Sequence, residues 1–329
     1  MYCMTTPPAW KCVLVIGGAG FIGSNIIEAL IERNLSDLVV SLDNYTSGST
    51  KNHRTDSSRV RYFGGDSWNI LDSRNEEFDA LKPEVVFHLG EFSRIVTSFP
   101  QVNYVFESNA LGTQRVLEYC VVKGAKLVYS GSSSTFGNDG RDSNLSPYAF
   151  LKKQNIQLIH NYGEWFSLKF AIAYFYNVFG PRDIEEGEYA TVVATFRRQY
   201  VAGEPLTVVM PGTQRRIFTH VNDIVNGLLM VAERGVGDDY KLAGDDDVSV
   251  KELADMFGSQ VVYVPERRGE RFSSVCETSR AREELGWSPK VRLAAYVDMF
   301  KSMAIAEKAA RLKLQADNAS NGGMLHFNL

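Results

Sequence analysis

The stretch Val13-Leu14-Val15-Ile16-Gly17-Gly18-Ala19-Gly20-Phe21-Ile22-Gly23-Ser24-Asn25-Ile26-Ile27-Glu28-Ala29-Leu30-Ile31 decides how the rest of the chain is read. An apolar run reads as a buried strand, spaced glycines as a loop, and the segment after them has helical periodicity. Strand, glycine loop and helix form the context that a dinucleotide fingerprint requires. Gly17 allows a tight turn, Gly20 lets the backbone approach a pyrophosphate, and Gly23 lets the helix lie close to the strand. The helix start, at Phe21 and Ile22, offers free N–H groups and a positive dipole end to phosphates. A second strand over 38–42 ends in Asp43, twenty residues after Gly23. A carboxylate there accepts hydrogen bonds from an adenosine ribose and repels a 2′-phosphate, which favours NAD over NADP. The plainer reading of Asp43 is a turn former in Asp43-Asn44.

Bulk properties narrow the classes. A chain of 329 residues with 44% hydrophobic and 22% charged content is that of an ordinary globular protein of one large or two coupled domains. A net charge of -4 argues against a nucleic-acid surface. No apolar run reaches the ~18 residues of a membrane span. Residues 1–11 lack the apolar core of a secretory signal. The four cysteines show no metal-like spacing, so no metal site is expected and a reducing cytoplasm is the expected location.

Further strands are expected at 60–63, 84–90 and 126–129. Gly65-Asp66-Ser67 follows the third, where Asp66 could reach an adenine edge or simply make a turn. His88, within Val85-Val86-Phe87-His88-Leu89-Gly90, reads as a packed structural histidine. Residues 101–121 have helical periodicity. The fifth strand runs into Ser130-Gly131-Ser132-Ser133-Ser134-Thr135-Phe136-Gly137, and polar loops at the carboxyl ends of parallel strands are where such sheets place ligands. Ser146 and Pro147 start the next helix as N-cap and first residue. Tyr148 and Lys152, four apart, share one face of it. A tyrosine hydroxyl is a poor base at its usual ~10. A neighbouring ammonium, helped by a cationic nicotinamide ring, makes the phenolate accessible. After a sixth strand over 167–176, which ends in Asn177, the alternation breaks into short strands and helices, which implies a second, smaller lobe made of pieces. Residues 317–323 read as a polar tail following the last helix.

In combination these motifs resemble the extended short-chain dehydrogenase/reductase superfamily, and within it the nucleotide-sugar epimerases and dehydratases typified by UDP-glucose 4-epimerase. The resemblance spans residues 11–296. It rests on the glycine loop, Asp43, Gly65-Asp66, His88-Leu89-Gly90, the serine loop, Tyr148/Lys152, Asn177-Val178-Phe179-Gly180-Pro181 and Leu285-Gly286-Trp287-Ser288-Pro289. It implies a Rossmann-type doubly wound parallel α/β sheet over 10–180 and 215–245. A discontinuous α/β substrate-binding lobe over 181–214 and 246–300 would follow, then a C-terminal helix and tail over 301–329. It implies Ser132, Tyr148 and Lys152 as catalytic residues, with Ser132 sharing a proton with Tyr148 and Lys152 binding the nicotinamide ribose. Asn44, Asp66, Ser67, Leu89, Gly90, Asn109 and Tyr176 would join the glycine loop around NAD. Ser93, Ser133, Asn177, Arg216, Arg267 and Ser274 would meet a nucleotide-diphosphate sugar. Arginines suit a diphosphate because they present forked cationic donors; the plainer reading of each is a solvated surface charge. A homodimer would form through the helices at 101–121 and 151–165, joined as a four-helix bundle.

Departures from the family pattern bear on the reaction. Ile16 replaces a threonine before the first glycine. Glu91 and Ser93 stand where small or other residues are usual, and the link from Ser132 to Tyr148 is short. The 4,6-dehydratases carry Asp-Glu after the catalytic hydroxyl, whereas this chain has Ser133-Ser134. Without those carboxylates water elimination lacks its acid and base. The expected activity is therefore an NAD-dependent 4-epimerase in polysaccharide biosynthesis. A dehydratase, a 4-oxidase or 4-ketoreductase, or a non-catalytic nucleotide sensor are the alternatives.

Overall fold

The apolar runs become the strands of one central sheet. The computed structural model describes residues 9–72, 75–136, 144–187, 189–266 and 279–322, with backbone alone for 279 and 312–322. The strands are β1 (Trp10–Ile16), β2 (Ser36–Asp43), β3 (Val60–Gly64), β4 (Val85–His88), β5 (Lys126–Ser132), β6 (Phe170–Phe175), β7 (Asn177–Phe179), β8 (Leu206–Val209), β9 (Arg215–His220), β10 (Gly237–Leu242), β11 (Asp246–Ser249) and β12 (Val261–Val264). The helices are α1 (Phe21–Glu32), α2 (Glu76–Asp79), α3 (Ile95–Ser98), α4 (Val102–Val105), α5 (Gly112–Lys123), α6 (Pro147–Phe166), α7 (Val192–Ala202), α8 (Val221–Arg234), α9 (Val250–Phe257), α10 (Ser279–Leu285) and α11 (Leu293–Gly322).

The central sheet runs β3-β2-β1-β4-β5-β6-β10, with every pair parallel. Its strands are covered on both faces, which is why they read as continuous apolar runs. One face meets Ile26 and Leu30 of α1 with Ile224 and Leu228 of α8. The other meets Val116 and Leu117 of α5 with Ile159 and Tyr162 of α6. The strand order reverses between β1 and β4, and a crevice opens there beyond the carboxyl ends.

A smaller body carries a three-stranded sheet, β11-β9-β7, and the pair β12-β8. Its own core includes Phe179, Phe196, Leu253, Phe257 and Val297. Two polar clasps fasten it to the main sheet's helices. Asn25 of α1 donates to the carbonyls of Phe21 (2.8 Å) and Pro181 (3.0 Å). Asp223 of α8 accepts from the N–H groups of Lys290 and Val291 (both 3.0 Å), and its own carbonyl accepts from the Trp287 indole (2.8 Å). The Leu-Gly-Trp-Ser-Pro motif is thus a structural anchor, with Trp287 buried at 2% exposure.

Three expectations need correction. Residues 215–220 do not return to the main sheet, because β9 pairs with β7 and β11; the return starts at α8 and β10. The helical segment over 101–121 is wound unevenly, with a π-helical turn at Phe106–Leu111 between α4 and α5. The segment read as a polar tail is helical as far as Gly322. Asp317, Asn318, Ser320, Asn321 and Gly322 are weak helix formers, so the helix reaches this segment by continuing the run of Ala, Lys, Leu and Gln before it.

Cys12 and Cys120 are buried and free, and burial pushes both thiols up, Cys12 to about 11. His88 on β4 is fully enclosed, with Nε2 3.0 Å from the Thr113 hydroxyl. Burial pulls its imidazole down to about 4, so it stays neutral while an unfolded chain takes up a proton below about 6.5. The unfolded state binds more protons between those values, so stability falls as the pH drops from about 6.5 towards 4, by about 3 kcal/mol for this group. Urea titrations across that window will register the loss, and His88→Asn will lose less over the same range. Gly17 has φ +83° and a Cβ there would come within 2.8 Å of the Gly90 backbone. Gly17→Ala will therefore cost about 2 kcal/mol or more, read as a lowered urea midpoint.

Candidate active site

The glycine loop forms one wall of the crevice. Gly17 lies against Leu89 and Gly90 at the end of β4, and a Cβ on Gly23 would stand 2.1 Å from the Gly17 carbonyl oxygen. α1 therefore starts directly over the end of β1. Its N-cap, Gly20, offers no side chain, and its first turn holds no acidic residue. The first-turn N–H groups remain available to an anion. Asp43, at the end of β2, accepts from the Ala19 N–H (2.9 Å) and the Tyr45 N–H (2.8 Å). Burial pushes its carboxyl up against the pull of those bonds. Asp43 thus ties the glycine loop to the second strand, a role its spacing did not announce.

Gly17, Gly20, Phe21, Ile22, Gly23, Asp43 and Asn44 all line one cavity, as do Ser67, Leu89, Gly90 and Tyr176. Asp66 lies just behind, accepting from the Asn44 amide at 2.7 Å, and the same amide donates to the Tyr104 hydroxyl at 3.1 Å. The Cβ-less cradle, the uncapped helix start and the carboxylate at the end of β2 fit a dinucleotide. The glycine cradle and α1 would hold its pyrophosphate, and Asp43 its adenosine side.

The same cavity takes in Ser132, Ser133 and Tyr148. The Ser146 hydroxyl accepts from the Ala149 N–H at 3.1 Å, and Pro147 follows it, so α6 begins where the sequence places it. Tyr148 falls in the first turn and is 9% exposed. Ser132 ends β5, and its oxygen accepts from the Ser134 N–H (3.2 Å) and the Ser134 hydroxyl (2.8 Å). With its lone pairs engaged, Ser132 is left as a proton donor. Lys152, one turn beyond Tyr148, sits behind the cavity wall at 3% exposure. Its ammonium donates to the Ser130 carbonyl (2.6 Å) and forms an ion pair with Glu91.

Ser93 also lines the cavity. Asn109 does not: it is fully enclosed, its amide donating to the Phe92 carbonyl (2.9 Å) and its oxygen accepting from the Phe92 N–H (2.8 Å). It shapes the wall from behind. Asn177 donates to the Ile217 carbonyl at 3.2 Å, holding β7 to β9. Arg216 lies on β9 and donates to the Arg215 carbonyl at 2.8 Å, and it is not among the residues that line the cavity. Arg267 and Ser274 lie outside the described residues.

Two cavity residues were not assigned a role by the sequence reading. Glu91 follows His88-Leu89-Gly90 directly, and its position was the only signal. Arg94 donates to the carbonyls of Ser93 (3.0 Å) and Tyr189, and among the described residues no carboxylate pairs with it. Burial pulls its guanidinium down. Asp43 and Glu91 are the carboxylates among the described lining residues. Among the described residues no cluster of three metal-binding side chains occurs, and no helix is long and apolar enough to cross a membrane.

Comparison with known proteins agrees with this geometry. The model of the NAD dependent epimerase/dehydratase family matches residues 13–243. UDP-glucuronic acid decarboxylase 3 of Arabidopsis thaliana is 28% identical over 92% of this chain and 90% of its own length. The crystal structure of UDP-glucose 4-epimerase from Thermotoga maritima with UDP-glucose is 25% identical, with a TM-score of 0.82, covering 91% of this chain and 100% of that one. The Thermus thermophilus UDP-glucose 4-epimerase complex with NAD is 27% identical, with a TM-score of 0.78 over 88% and 99% of the two chains. The expected fold and cofactor therefore hold: with its glycine cradle, parallel sheet and Tyr148-Lys152 pair, the chain belongs to the NAD-dependent epimerase/dehydratase family of nucleotide-sugar enzymes.

Proposed function

We propose that the chain is a 4-epimerase of a nucleotide-activated hexose. The observation that carries this reading is the joint placement of Ser132 and Tyr148 on the wall of the glycine-lined cavity, with serines and not carboxylates at 133 and 134. NAD held along the glycine cradle would supply the acceptor for the C4 hydride and the donor for its return. Tyr148, as phenolate, takes the proton from the sugar O4. Ser132 donates a hydrogen bond to the same oxygen, since its own acceptor sites are taken by Ser134. After the 4-keto sugar turns over, Tyr148 returns the proton. Glu91 is held by Lys152, Thr113, Tyr129 and Asn155, so it is not free to abstract the C5 proton in a water elimination. Arg216, Arg267 and Asn177 are proposed to reach the diphosphate, and Ser274 to bound the sugar, as the family resemblance suggests.

Arg94 favours a second reading. A desolvated guanidinium that no carboxylate among the described residues pairs with suits an anionic sugar. A hexuronic acid oxidised at C4 is a β-keto acid that can lose carbon dioxide. The Arabidopsis relative is a UDP-glucuronic acid decarboxylase, which is consistent with this. NMR of the purified protein with UDP-, GDP-, CDP- and dTDP-hexoses, UDP-N-acetylglucosamine and UDP-glucuronic acid separates the two. C4 epimers without accumulating NADH support the first; a pentose product supports the second; neither with any sugar would overturn both.

Tyr148→Phe will lower kcat by about 10²–10⁴-fold, with KM for the sugar nucleotide little changed. Steady-state assays check this, and unchanged turnover would remove Tyr148 as the base.

A homodimer is part of the proposal. Val102 and Phe106 of the 101–121 segment, Leu111 beyond them and Phe150 on α6 are 38–44% exposed, an apolar face that a second copy would cover. Light scattering at micromolar concentration will give twice the chain mass, and Phe106→Glu will shift it towards the monomer.

A further inference from the structure

The buried cluster behind Tyr148 contains a charge pair that the reaction scheme above leaves without a purpose. Glu91 and Lys152 have side chains 1% and 4% exposed. They come from distant parts of the chain, the loop after β4 and the second turn of α6. The Lys152 ammonium also donates to the Ser130 carbonyl and lies 4.6 Å from the centre of the Tyr129 ring. Glu91 is saturated from three further sides. It accepts from the Thr113 hydroxyl (2.7 Å), the Asn155 amide (2.9 Å) and the Tyr129 hydroxyl (3.1 Å). Every donor comes from a different element: α5, α6 and β5.

The other titratable groups facing this pair are accounted for. His88 on β4 is held neutral by burial. The Tyr129 phenol on β5 is pushed well above its ordinary value and stays neutral. Tyr148 lies one turn back on α6. Arg94, in the loop after β4, carries a positive charge that acts on Tyr148. Among the described residues of this cluster, Glu91 is the one anion that meets the Lys152 ammonium.

We propose that Glu91 is a positioning residue: it is the counter-ion that keeps Lys152 an ammonium, fixed one helical turn from Tyr148 at a buried position. A lone ammonium at such burial loses its proton readily, because desolvation penalises the charged form. A carboxylate in contact reverses that penalty, and the ammonium itself, ahead of the Thr113 hydroxyl, holds the carboxylate below its ordinary range against its own burial. The kinetic part rests on the roles given to Tyr148 and Lys152 above; the electrostatic part does not.

The experiment follows the proton on Lys152 directly. In protein labelled with 13Cε-lysine, with the Lys152 signal assigned through Lys152→Met, Glu91→Gln lowers the Lys152 titration midpoint by more than one pH unit, a greater than tenfold change in acidity. Glu91→Asp, which keeps the charge, recovers most of that shift. The alkaline limb of the kcat/KM profile moves down with the midpoint. A Lys152 midpoint unmoved in Glu91→Gln overturns the proposal. If the midpoint moves and the alkaline limb does not, the pair stands and the catalytic role of Lys152 falls. Should Glu91→Gln fail to fold, Lys152→Met reads the coupling from the other side. The Glu91 carboxyl carbon then titrates at higher pH than in the wild type, and an unchanged value overturns the proposal equally.

Discussion

The site depends on how closely two backbones approach at the end of the sheet. Gly17 leaves β1 with a positive φ, and its Cα lies against the peptide of Leu89 and Gly90 beyond β4. Those are the two strands between which the sheet order reverses. A side chain at either position would force them apart and fill the floor of the crevice. With glycine at both, α1 can start immediately above the floor, and its uncapped N–H groups face the space where phosphates would lie. The negative end of β2 at Asp43 then braces the loop through the Ala19 N–H. The cradle is thus a backbone device, which explains how it persists with an isoleucine in place of the usual threonine at residue 16.

Beyond the cradle, side chains take over and the design changes. The reacting end is supplied by β5, α6 and the loop after β4. The charges behind Tyr148 are compensated locally: Lys152 by Glu91, with His88 and Tyr129 kept neutral by burial. A buried charge left unpaired costs far more than a pair does. On the proposed reading the sugar would be met by the hydroxyls of Ser132 and Tyr148, with Arg94 as a lining cation beside them. Hydroxyl contacts would hold a hexose weakly, as a turning keto sugar needs, and would leave the tight grip to phosphate contacts elsewhere.

Much of this was legible in the sequence because it is local. The glycine loop, the strand runs, the Ser146-Pro147 start of α6 and the i,i+4 pair of Tyr148 and Lys152 each lie within a few residues. What the sequence did not give up is what joins distant positions. Glu91 and Lys152 are 61 apart in the chain, and no spacing rule links them. Asn109 looked like a cavity residue from its motif position, but its amide is used on both ends by Phe92, 17 residues away. β9 was placed with the wrong sheet because a short strand's partner is set by the lobe's packing and not by its own pattern. The final helix runs past its expected end although Asp317, Asn318, Asn321 and Gly322 are weak helix formers, carried on from the stronger formers before them.

The π-helical turn at Phe106–Leu111 carries a consequence for how the cavity wall is kept in shape. Such a turn holds one residue more than regular winding would. The widened turn absorbs that residue locally, so α4 and α5 keep nearly the phase that an even helix one residue shorter would give them. The wall of the crevice at Asn109 therefore stands on a widened turn, and a one-codon deletion there would be read by the molecule as a local tightening.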